Sequence, residues 1–90
     1  MNKPTPQQLK EKIFREGKIE VEVQHSHMLQ KIEFVLKKEP FGRKSFYYLY
    51  TDREVDSSSL IKLAEELDIP VQGSSGRFFP KNKKATDFLI

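Results

Sequence analysis

Residues 45–51 read Ser-Phe-Tyr-Tyr-Leu-Tyr-Thr, with five large aromatic or apolar side chains in succession, the densest apolar stretch in the chain. Aromatic side chains suit a pleated, packed surface better than a helix. In a strand, Phe46, Tyr48 and Tyr50 point to one face and Tyr47 and Leu49 to the other. Both faces are then apolar, so this strand is expected in the middle of a sheet.

The flanking segments are read from their own periodicities. Thr5, Pro6 and Gln8 open a helix: threonine caps it, proline suits its first position, and Gln8 closes a capping box. Leu9, Ile13 and Phe14 give it a narrow apolar stripe, and Gly17 ends it as a left-handed cap, so a helix is expected over 6–16. From Ile19 to Gln24 apolar and polar residues alternate strictly, the pattern of a half-buried strand with one face in water. Ser26 to Lys38 fits two patterns. Met28, Leu29, Ile32, Val35 and Leu36 make a helical stripe that Ser26 could cap, whereas Ile32, Phe34 and Leu36 alternate as in a strand. Glu39-Pro40-Phe41-Gly42 then reads as a type I turn with a bulge. That turn favours a hairpin between 31–38 and 43–51.

Asp56 is expected to cap a helix over 57–67, with Leu60, Ile61, Ala64 and Leu67 on one face, and Pro70 to stop it. Ile69 and Val71 open a short strand. Gly73-Ser74-Ser75-Gly76 is a turn, and Arg77-Phe78-Phe79 adds strand up to Pro80, which limits it to an edge. The expected fold class is α+β: a small two-layer sandwich of order α-β-β-β-α-β, with both helices on one face of a three- to four-stranded sheet. If 26–38 were helical, the order would alternate as α-β-α-β-α-β. Ninety residues suit a single domain, 1–90. Residues 80–90 are expected as a basic and apolar C-terminal tail, flexible or docked on the body.

Composition narrows the function classes. There is no cysteine, which excludes disulfides and thiolate metal sites. No apolar run approaches the ~20 residues of a membrane span, and the N-terminus lacks the apolar centre of a signal peptide. No membrane association is expected, and a cytoplasmic location is the default. Sixteen Lys and Arg against thirteen Asp and Glu give a net charge of +3. Both ends of the chain are basic and the segment 54–68 is acidic, a polarity that can steer an anionic partner.

The strongest functional signal is basic and aromatic. Arg77, Phe78, Phe79, Lys81, Lys83 and Lys84 mix rings with cations, and Lys37, Lys38, Phe41, Arg43 and Lys44 repeat the mixture around the hairpin tip. Single-strand binders use such sets because cations neutralise phosphate while rings stack on bases. If tip and tail share a side, they form one strip. The expectation is a nucleic-acid-binding module without catalytic activity or cofactor. The alternative is a protein-interaction domain, self-association included, using a sheet edge or the apolar Phe88, Leu89 and Ile90.

Gly73, Ser74, Ser75 and Gly76 could form an anion-binding nest. Over those four residues the spacing resembles the Gly-x-x-Gly loop of KH domains, which joins two helices. The αβββα order is similar to that of double-stranded-RNA-binding domains. Their second helix opens with a basic cluster, however, where this one opens Asp56-Ser57-Ser58-Ser59. His25 and His27, two apart, would share a strand face, but no third metal ligand accompanies them. Asp52, Glu54 and Asp56 alternate after the central strand, where α/β proteins often place acids, yet turn and cap roles account for them. Ser57, Ser58 and Ser59 lack the context of a catalytic nucleophile.

Overall fold

A computed structural model describes residues 5–90. The first helix, α1 (Pro6–Glu16), forms as its ends dictate. Thr5 accepts from the Gln8 backbone N–H at 3.2 Å while the Gln8 side chain accepts from the Thr5 N–H at 2.9 Å. Gly17 terminates it at φ +76°, where a side chain would be strained.

Three antiparallel strands follow: β1 (Lys18–His25), β2 (Met28–Phe41) and β3 (Lys44–Tyr50). The ambiguous segment is therefore a strand, and at 14 residues it runs beyond the expected 31–38 at both ends. β1 covers the first half of β2, from Met28 to Val35, and β3 covers the second half, from Val35 to Phe41. The β2–β3 connection departs from the expected four-residue turn at 39–42. Pro40 and Phe41 remain in strand, paired with Ser45 and Lys44, and the reversal takes only Gly42 and Arg43. A positive φ at the first loop position alone, +64° at Gly42, is the pattern of a type II′ hairpin, whose twist matches its strands. Proline is tolerated there because β1 does not reach beyond Val35, so that side of β2 is an open edge.

The helix α2 (Ser57–Leu67) crosses from β3 to the parallel strand β4 (Val71–Gly73), which pairs with β5 (Gly76–Phe78). The sheet has five strands in the order β1-β2-β3-β4-β5, so the aromatic strand is central. The last expected strand is in fact a two-stranded hairpin. Asp56 occupies the N-cap position of α2 but makes no side-chain cap bond. Its carboxylate instead accepts from the Ser26 backbone N–H at 3.4 Å, tying the β1–β2 turn to the helix start.

Both helices cover one face of the sheet. Ile13, Leu60, Leu63 and Leu67 pack there on Ile19, Ile32, Phe34, Leu49 and Val71. A second aromatic cluster joins Phe46 and Tyr48 on the other face to Phe88, with Tyr50, Phe79 and Leu89 against it and Tyr47, on the helix side, edge-on to Phe88. The alternation read in 45–51 is the reason: β3 supplies an apolar side chain to each layer. Among the described residues, no helix is long and apolar enough to cross a membrane.

Candidate nucleic-acid interface

Because β3 alternates, Phe46, Tyr48 and Tyr50 lie on the face away from the helices, yet Phe46 and Tyr48 are buried. Their cover comes from β5. Arg77 stands opposite Gln72 in the β4–β5 hairpin, on the same face, and its guanidinium lies 4.4 Å from the Tyr48 ring centre and 5.1 Å from that of Phe46. Gln72 accepts from its Nε at 2.9 Å. The two terminal nitrogens donate to both oxygens of Glu39 on β2, at 3.0 and 2.9 Å. The fork matches the carboxylate plane and fixes the guanidinium over the rings. The Arg77 hydrogen bonds hold the Glu39 carboxyl below its ordinary pKa, and the same bonds raise that of Arg77 against the opposing effect of burial.

Arg77 is thus a structural cover with its charge met, rather than the free phosphate ligand expected from the tail's composition. Lys83 is similarly engaged, donating to Asp68 at 2.8–2.9 Å beside the Phe88 ring, and Asp68 raises its pKa. Phe78 and Phe79 are half-buried. Phe78 packs on the core under the helices, and Phe79 lies 6.2 Å from Phe46 and 6.4 Å from Phe88.

Residues 80–90 are docked. Phe88 is buried in a 3-10 helix (Ala85–Phe88), with its ring edge-on to Tyr47 at 5.7 Å. Leu89 then bridges to Phe46, and the Ile90 N–H donates to the Ser45 carbonyl at 2.9 Å. These contacts close the stretch of β3 that β4 is too short to cover. Phe88 and Leu89 are spent on the protein's own core, and only Ile90 remains well exposed.

The hairpin tip is different. Lys37, Lys38, Phe41, Arg43 and Lys44 are all exposed, and among the described residues none of these four cations is in an ion pair. Lys37 lies 4.2 Å from the Tyr50 ring centre, and Phe41 meets Phe46 edge-on at 6.2 Å. Phe46 contacts both Phe41 and Phe79, so one line of rings joins the tip to the tail, where Lys81 and Lys84 are also exposed and, among the described residues, in no ion pair. Lys38 alone of the tip set faces the helix side, opposite Tyr47.

The other candidates are dispersed. Gly73 and Gly76 close a tight strand-to-strand turn with Ser74 and Ser75 exposed, so this loop joins strands where the KH loop joins helices. His25 ends β1, while His27 sits in the β1–β2 turn with Ser26, so the two histidines do not share a strand face. His25 lies between Glu54 (3.5 Å) and Asp56 (3.8 Å). Among the described residues, no three His, Asp or Glu side chains are grouped to hold a metal ion.

Sequence reasoning missed the Glu39–Arg77 fork, since the partners are 38 positions apart. The docking of Phe88 had a signal, three apolar residues at a chain end. No protein-family model, curated protein or solved structure matches this chain significantly.

Proposed function

We propose that this protein binds single-stranded nucleic acid along the β2–β3 hairpin tip and the adjoining ring line, without catalysis and in the cytoplasm. The observation that carries the reading is the set of exposed cations on one face, in no ion pair among the described residues: Arg43 and Lys44 beside exposed Phe41, and Lys37 against Tyr50. Phosphates meet these cations, and Lys81 and Lys84 extend the track, whereas Lys38 on the helix side lies off it. Bases stack on Phe41 and Tyr50, a mode indifferent to sequence because every base has a flat face. Arg77 and Lys83 contribute little, their charges being matched by Glu39 and Asp68.

The test is fluorescence anisotropy with a short labelled single strand across a salt series. Neutralising four to six phosphates on a single strand gives a log–log salt slope of about −3 to −4. Binding that ignores salt, or no binding at low salt, would refute the reading.

A further inference from the structure

β1 forms one edge of the sheet. Its outward groups can be identified from Gln24, whose N–H donates to the Ser59 hydroxyl and whose carbonyl accepts from the Asp56 N–H, both at 3.2 Å. Backbone groups alternate along a strand, so Glu22 and Glu20 direct theirs the same way. Those four groups meet no backbone partner among the described residues. An edge of this kind is a template for another strand.

The surroundings specify that strand. Beside the edge, between β1 and the two helices, runs a groove made of two cavities of about 570 and 340 Å3 that share Glu22, Leu63 and Glu66. In the larger one Val21 is half-exposed beside Leu9, Leu63 and Leu67, a gap in the apolar layer. On the opposite face Glu20 is the direct cross-strand neighbour of Glu33. Like charges so placed repel, and among the described residues none of Glu20, Glu22, Glu33 and Glu66 is in an ion pair. Lys31 faces Glu22, and Lys62 lines the smaller cavity, leaving the carboxylates in the majority.

We propose that the outer edge of β1 accepts an extended basic peptide as an added strand, with Lys or Arg opposite Glu20 and Glu22 and an apolar side chain between them. The two cations relieve the crowded carboxylates, the apolar residue fills the gap over Val21, and the peptide backbone satisfies the free edge. A phosphate backbone is repelled by the same carboxylates. A second copy of β1, laid antiparallel and centred on residue 21 or 22 with its helices on the same side, sets glutamate against glutamate.

The test uses the full chain and a fluorescein-labelled nine-residue peptide with a central Lys-Val-Lys run and polar flanks, followed by anisotropy and amide NMR. The Glu20 and Glu22 amide signals move on binding. Reversing both carboxylates (Glu20→Lys with Glu22→Lys) weakens this peptide by about tenfold and strengthens a Glu-Val-Glu peptide in step. A probe N-methylated on the backbone nitrogens of both lysines and the valine, which removes the donors aimed at β1 in either strand direction, loses binding to the unaltered protein, a readout independent of whether the double variant folds. The proposal is overturned by equal binding of the Lys and Glu peptides, by no binding at millimolar peptide, or by shifts confined to another surface. Peptide-free dimerisation through the same amides would also sink it, by making a second copy the occupant.

Discussion

Arg77 grips Glu39 with both terminal nitrogens, at 2.9 and 3.0 Å, by reaching from β5 across the rings of the central strand to β2. This single side chain lets an aromatic face persist without a helix above it. Arg77→Ala removes two cation–π contacts and is expected to lower stability by about 1–2 kcal/mol. Arg77→Lys keeps the charge but not the planar fork and falls between. Thermal melts rank the variants, and collisional quenching of tyrosine fluorescence reports whether Tyr48 becomes accessible. Unchanged melting for Arg77→Ala would remove its role as a cover.

The same pair has a pH signature. The folded Glu39 carboxyl lies below its ordinary value of 4.5. A depressed carboxyl stabilises the folded state above the unfolded value, and that contribution disappears as pH falls through the folded one. Urea midpoints for the parent protein and Glu39→Gln should therefore differ most above pH 4.5 and converge on acidification. A constant gap down to pH 3 would mean that the fork does not titrate with folding.

Ser26 and His27 make the β1–β2 turn at φ +50° and +67°, a left-handed pair that asparagine and glycine adopt more easily. Ser26→Asn with His27→Gly is expected to stabilise the protein by about 1 kcal/mol. For a chain of this size that is a rise of about 4–8 °C in Tm.

Phe88 fastens the C-terminus. Phe88→Ala leaves a hole beside Tyr47 and Phe79 and is expected to destabilise by about 3 kcal/mol, near the lower end for a buried ring. Hydrogen exchange adds a local test: the Ile90 amide, bonded to the Ser45 carbonyl, should lose protection.

At the hairpin tip, Phe41→Ala should weaken single-strand binding by about 1–3 kcal/mol, the range for one stacked base. Arg43→Ala and Lys44→Ala should each flatten the salt slope by about 0.7. Lys83→Ala, which removes a cation already met by Asp68, should leave that slope unchanged. Anisotropy titrations at three salt concentrations separate these outcomes.

Local physics was enough for α1, β1 and α2. A capping box, a strict alternation and an apolar helix stripe each contain their whole instruction within a dozen residues, and the aromatic run at 46–50 declared a central strand with two apolar faces. The candidate tip residues were likewise legible, because exposed charge at a turn is a local property. Tertiary structure decided the rest. Met28 and Leu29 supported a helical reading of 26–38, yet both are exposed, and the segment is a strand because β1 and β3 each satisfy part of its backbone. Asp56 had the chemistry of a cap but spends its carboxylate on a turn 30 positions away. Arg77 and Lys83 had the composition of phosphate ligands, and distant carboxylates neutralise them. A side chain's charge and shape are written in the sequence. Whether that charge stays free depends on which partner the fold brings within 3 Å, and pairing at that range is set by strand order and register.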